Sequence, residues 1–399
     1  MAFDPTRGIQ DFLVFGEYGD VNPSITDSST FTFKDPQTMN EIFDHEIEGC
    51  FLYSRHWNPI NRHLSEALAA MEGSEMALVT ASGMGAISST TLQICRAGDE
   101  IVASHTIYGG TYAFFKNFLP KLGITVKFVD MTNLDEVKAA ITENTKMLYG
   151  ESVSNPLLEV ANIPELSRIA KAHNLTLVID NTFSPMIISP IQWGADVVIH
   201  SMTKYINGTS DCVAGCVCSS SEFIHALTDI NAGASMLLGP VLDSYRAASI
   251  LKNLHSLHIR MQKHSENALF LAEHLQKLGV TVFYPGLTSH PQHDLMNQLK
   301  NEGFGYSGML AIDAKDDETA DQLMKLMQEE KVGYLAVSLG YFKTLFSSPS
   351  HSTSSEIPKE EQEEIGLSGG LVRMSVGLDH NIQLSFDRIH KCLKNIGLV

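Results

Sequence analysis

Between residues 76 and 200 six short apolar runs alternate with stretches of helical spacing. The runs are 76–80, 101–103, 126–130, 147–149, 175–180 and 197–200, and most are apolar at successive positions rather than at alternate ones. A strand with no polar face must be covered on both sides. The intervening stretches 133–142 and 163–172 supply that cover. Asn133 and Asn162 stand where helix caps belong, and Pro164 sits in a first turn. Strands alternating with helices predict an α/β fold built on a mostly parallel sheet.

Charge and composition narrow what such a fold does. The 399 residues carry 28 Lys+Arg against 46 Asp+Glu, a net charge of −18, which excludes a nucleic-acid binder needing a basic face. With 44% hydrophobic and 19% charged residues the chain is globular rather than disordered. No apolar run approaches the roughly 18–20 residues that cross a bilayer, and the opening MAFDPTRGIQDF lacks a signal-peptide core. Six cysteines are too sparse for a disulfide framework. A cytoplasmic protein is expected.

Outside the alternating region the character changes. Residues 1–60 show no sustained period and include a polar-aromatic stretch at 24–33, so they read as an N-terminal arm contacting a neighbouring subunit. The α/β domain then spans 61–255. A smaller C-terminal α+β domain spans 256–399, with a long helix over roughly 240–278 leading into it. It holds strands at 280–284, 308–313 and 371–376, a helix at 317–330 and a loop at 347–364.

In open α/β sheets ligands bind beyond the carboxyl ends of the strands. Three features sit there. Ala81-Ser-Gly-Met-Gly85 follows the first strand and opens a helix, whose free N–H groups suit a phosphate. Asp180 closes the strand TLVID, and Ser201-Met-Thr-Lys204 follows DVVIH. Each alone has an ordinary reading, as a turn, a helix cap or a surface lysine. In this order they match the needs of pyridoxal 5'-phosphate: a Schiff-base lysine, an acid for the pyridinium nitrogen, and a phosphate cradle.

The motifs Tyr53-Ser-Arg55, Tyr108-Gly-Gly-Thr111, Glu151-Ser-Val-Ser-Asn-Pro156, Asp180-Asn-Thr-Phe183 and His200-Ser-Met-Thr-Lys204 stand in a recognisable order. With them the whole chain, from Phe31 to Gly377, resembles the γ-subfamily of pyridoxal-phosphate enzymes of cysteine and methionine metabolism. The resemblance implies the aspartate-aminotransferase-like (type I) fold, with a seven-stranded sheet in the large domain. It also implies roles. Lys204 is the Schiff-base lysine and proton shuttle, and Asp180 holds the pyridinium proton. Tyr108 stacks on the ring and assists elimination. Gly83, Met84, Ser201 and Thr203 hold the phosphate, with Tyr53 and Arg55 reaching it from a neighbouring subunit. Asn155 touches the ring oxygen, and Arg373, beside Ser338, grips the substrate carboxylate. The implied assembly is a homotetramer of two active dimers acting on a small amino acid.

Within the family, Val337-Ser-Leu-Gly340 looks like methionine γ-lyases, where cystathionine enzymes commonly carry Glu before Ser-Leu-Gly. An apolar residue there suits a thioether tail. The blocks at 338–345, 352–356 and 284–293 look like the plant-type branch of those lyases. The implied reaction is α,γ-elimination of L-methionine to methanethiol, 2-oxobutanoate and ammonia. The alternatives are a cystathionine γ-lyase or γ-synthase and a homoserine-ester sulfhydrylase. Gly110 stands where bacterial methionine γ-lyases have Cys, while Thr209 and Ser354 replace His of the usual pattern.

No metal is expected. The Cys212, Cys216 and Cys218 spacing matches no zinc pattern and reads as a buried strand, and His290 and His293 flank a proline in a loop. His255, His258 and His264 lie near Arg260 and Lys263 on what reads as a solvated or interface face, and 359–364 reads as a charged helical turn.

Overall fold

The computed structural model describes residues 3–14, 16, 19–44, 47, 49–352, 357–364 and 366–399. Seven strands form the large sheet: β1 (Met76–Thr80), β2 (Glu100–Ser104), β3 (Thr125–Val129), β4 (Thr145–Glu151), β5 (Thr176–Asp180), β6 (Val197–His200) and β7 (Gly215–Ser219). Their order is β1-β7-β6-β5-β4-β2-β3, and only β7 runs against its neighbours. The expected α/β architecture is therefore present, with β7 holding Cys216 and Cys218 in its buried interior.

Both sheet faces are dry because the strands alternate between two cores. Leu148, Leu177, Ile179 and Val198 join one. Met147, Tyr149, Val178 and Ile199 join the other. Helix Gly83–Ile94 packs in the second core, with Ala86 and Ile87 buried. Helix Pro59–Glu72 packs in the first, between its Asn58 cap and a left-handed Gly73. At the foot of β6, His200 Nε2 lies 2.9 Å from Glu72 Oε2, both groups fully buried. Burial pulls the His200 imidazole down, but the Glu72 hydrogen bond, together with the charges of Cys216, Glu72 and Asp180, lifts it to about 9. The pair fastens the strand that leads into Ser201–Lys204.

The second sheet holds β8 (Val282–Phe283), β9 (Met309–Asp313), β10 (Gly333–Leu335), β11 (Thr344–Ser347) and β12 (Leu371–Ser375), in the order β10-β11-β12-β9-β8. Strands β10 and β11 fall in stretches without a strand signature. The helix read as continuous over 240–278 is two helices, Ser244–Leu254 and Leu257–Lys277, parted at His255 and Ser256. His264 is wholly buried rather than on a solvated face, because the second helix sends Leu257 and Met261 into one core and Leu271 and Leu275 into another. The N-terminal stretch is more ordered than its lack of period implied. Helix Pro5–Asp11 lies on Pro59–Glu72 of the same chain, so closely that a Cβ on Gly8 would collide with the Ala70 carbonyl oxygen.

Candidate active site

The carboxyl ends of β1, β4, β5 and β6 face one cavity of about 200 Å³. At one end is the turn into helix Gly83–Ile94. Ser82 caps it, its Oγ accepting from Gly85 N at 2.9 Å, and the first-turn N–H groups of Gly83 and Met84 have no partner within the helix. A Cβ on Gly83 would lie 3.0 Å from Ser201 Cβ, a tight contact, so glycine lets the two segments approach closely. Ser201 and Thr203 line the same end. The Thr203 hydroxyl is already engaged with Ala214, accepting from its N at 3.0 Å and donating to its O at 3.2 Å.

Lys204 follows in the same turn. Its Nζ donates to Ser338 Oγ at 3.2 Å, which brings the loop of the smaller sheet across the amine. Gly340 makes that approach possible. Its φ is +79°, and a Cβ there would press on the backbone of Lys204 and Tyr205 at 2.5–2.8 Å. Burial, reinforced by the Arg373 charge, brings the Lys204 amine down to about 8. Asp180 ends β5, and its Oδ1 accepts from Thr182 N at 3.0 Å. Burial raises this carboxyl, and the Thr182 hydrogen bonds oppose the rise.

Across the cavity, Arg373 on β12 donates from Nη1 to Asn155 Oδ1 at 2.9 Å. Burial lowers its guanidinium to about 10, which leaves it charged at neutral pH. Asn155 is in turn held by Glu151, whose Oε2 accepts from Asn155 N at 2.8 Å while Oε1 accepts from Tyr108 N at 2.7 Å. Glu151 thus fixes both the Tyr108 turn and the residue that braces Arg373. Burial and the adjacent Asp180 push the Glu151 carboxyl well up. Tyr108 lines the cavity and is 42% exposed. Gly110 does not line it, but it governs Tyr108, because a Cβ there would sit 2.5 Å from the tyrosine ring.

Tyr53 and Arg55, expected to reach the phosphate of a neighbouring subunit, do not line this chain's cavity. Arg55 Nη1 donates to Met236 O at 2.9 Å, and its guanidinium stands 5.9 Å from the Tyr53 ring centroid. Ser354 lies outside the described residues. Among the cavity residues to which sequence reasoning assigns no role are Glu151, Phe183, Val213 and Leu339. Glu151 carried a signal, since an acid closes β4 just as Asp180 closes β5, and the two stand opposite one another in register.

This donor set fits pyridoxal 5'-phosphate: a glycine cradle with free N–H groups, a buried amine of lowered pKa, and a carboxylate at a strand end. The family model for Cys/Met metabolism PLP-dependent enzymes matches residues 13–393. A methionine γ-lyase of Arabidopsis thaliana is 45% identical over 97% of this chain and 90% of its own length. A cystathionine γ-lyase of Dictyostelium discoideum is 35% identical over 90% of each. A chain of Campylobacter jejuni solved with N'-pyridoxyl-lysine-5'-monophosphate is similar at a TM-score of 0.90 and 27% identity, over 98% of this chain and 100% of that one. Joined to the fold and the cavity, the match over residues 13–393 makes the chain a member of the Cys/Met metabolism PLP-dependent enzymes.

Proposed function

We propose that the protein is a carbon–sulfur lyase that converts L-methionine and water to methanethiol, 2-oxobutanoate and ammonia. The observation that carries this reading is Val337. It lines the cavity, 63% exposed, one residue before the serine that meets Lys204, and Val213 and Leu339 extend the apolar wall. That wall suits a methyl thioether, whereas a substrate with a distal ammonium group calls for a carboxylate there.

Gly83, Met84, Ser201, Thr203, Asn155 and Asp180 would hold the cofactor, which would supply an electron sink for charge developing at the substrate Cα. The chain's own side chains do the rest. Arg373 binds the substrate carboxylate and sets the direction of the Cα–H bond. The Lys204 amine, with its lowered pKa, takes the α-proton and returns protons to carbon. Tyr108 gives a proton to the departing thiolate, and the backbone hold of Glu151 keeps its turn in place.

In the same reading the active unit is a dimer, with Tyr53 and Arg55 completing the phosphate site of the neighbouring chain, and two dimers form a cytoplasmic homotetramer. The position of both residues away from their own cavity supports their role at a neighbouring chain's site.

The Val337→Glu variant tests the specificity argument. The added carboxylate desolvates poorly against a methyl thioether and pairs with a distal ammonium group. Turnover of L-methionine should fall about tenfold or more relative to L-cystathionine, a shift of roughly 1.4 kcal/mol. An unchanged ratio of the two kcat/KM values would remove Val337 from the account.

A further inference from the structure

Helix Leu257–Lys277 contributes no residue to the cavity lining, yet one face of it grips the backbone on both sides of the site. Arg260 donates from Nη1 to Tyr205 O and from Nη2 to Ile206 O at 2.9 Å and Asn253 O at 3.0 Å. Tyr205 and Ile206 directly follow Lys204. One turn on, His264 Nδ1 lies 2.6 Å from Val376 O. Because the partner is a carbonyl, Nδ1 carries the proton and donates. Asn267 Nδ2 then donates to Gly377 O at 2.9 Å and Asp379 O at 2.8 Å. Val376 and Gly377 directly continue the strand that presents Arg373. Positions 260, 264 and 267 lie on one helical face, so a single rigid element takes hold of both segments.

The packing between them is tight. The Tyr205 ring meets His264 edge-on, with centroids 5.1 Å apart. Gly308 fills the remaining gap, where a Cβ would lie 2.8 Å from Tyr205 Oη and 2.9 Å from His264 Cβ. Burial holds the His264 imidazole down to about 4, so it stays a neutral donor at working pH.

We propose that Arg260, His264 and Asn267 are positioning residues that form a strut, fixing the distance between Lys204 on the large sheet and Arg373 on the small one. Arg260 sets the Lys204 end, and His264 with Asn267 sets the Arg373 end. The two ends do different chemistry. An error at the first misplaces the proton-transferring amine, and an error at the second misplaces the carboxylate grip. The proposal rests on the methionine reading only for the choice of substrate.

The test compares the cofactor-loaded wild type with Arg260→Lys, His264→Phe and Asn267→Leu. Lysine reaches one carbonyl rather than three. Phenylalanine keeps the ring but no donor, and leucine keeps the volume but no amide. The measurements are kcat and KM for L-methionine, the dissociation constant of L-norleucine from the absorbance of bound cofactor, and the thermal midpoint with cofactor content. L-Norleucine replaces the sulfur with a methylene and so has no leaving group. Arg260→Lys should lower kcat about tenfold with KM and norleucine binding within about twofold. His264→Phe and Asn267→Leu should weaken norleucine and raise KM about five- to tenfold, with kcat within about threefold. If His264→Phe loses cofactor, Asn267→Leu alone decides that end. Kinetic constants that shift together in all variants, or that stay at wild-type values in folded variants, overturn the strut. A wild type that binds L-norleucine but releases no methanethiol overturns the reaction instead, and the strut is then judged from norleucine binding and the spectra.

Discussion

Lys204→Ala abolishes turnover, with kcat falling by more than about 10⁴-fold, because the variant loses both the covalent partner of the cofactor and the group that moves the α-proton. Without cofactor, the thermal midpoint should change little or rise, since the substitution removes a buried amine whose charged form the fold disfavours. The same amine predicts a pH dependence. Its pKa in the folded protein is lowered to about 8, against about 10.4 for an ordinary lysine. Only the neutral amine attacks the cofactor aldehyde. Reconstitution of cofactor-free protein, followed by absorbance, should therefore rise about tenfold between pH 7 and pH 9 and then level off. For an unshifted lysine the rate would climb roughly a hundredfold over that window and keep climbing. A profile of the second kind would mean that the cavity does not desolvate Lys204.

The Arg373→Lys variant gives the second largest effect. The guanidinium is 2% exposed and spans from Asn155 Oδ1 to the open cavity, leaving donors in a fixed plane for a carboxylate. An ammonium keeps the charge but not the fork, and it leaves the Asn155 oxygen or the substrate without a donor. Breaking one partner of a buried charge-assisted contact costs about 2–5 kcal/mol. That corresponds to a fall in kcat/KM of roughly 30- to 4,000-fold. KM should carry most of it, with cofactor content unchanged because Arg373 is not among the phosphate-holding residues. A variant with normal KM would show that the substrate carboxylate is held elsewhere.

The large sheet was legible from sequence because its strands are apolar on both faces, a pattern helices of this length do not share. Strands β1 and β6 fall at the residues the apolar runs mark. Strands β10 and β11 were not legible. Gly333–Leu335 and Thr344–Ser347 are three and four residues long, and only their pairing in the small sheet makes them strands. The single long helix failed at His255, where no proline or glycine marks the break. His264 failed for a related reason. Beside Arg260 and Lys263 it looks solvated, but its proton goes to Val376, a residue 112 positions away. Local composition cannot report such a partner. Asp180, Lys204 and the glycine turn were legible because each ends or directly follows a strand whose direction the α/β pattern fixes. Glu151 was within the same logic and was missed as a bracing group because its partners are backbone N–H groups, which leave no trace in side-chain chemistry.

The central claim is that the apolar wall at Val337 selects a methyl thioether. The most direct test is a side-by-side product assay on purified, cofactor-loaded protein, with L-methionine and L-cystathionine as substrates and methanethiol, cysteine and 2-oxobutanoate as readouts. Methanethiol and 2-oxobutanoate in equal amounts from L-methionine, with poor turnover of L-cystathionine, is the predicted result. Cysteine from L-cystathionine with no methanethiol from L-methionine would contradict it.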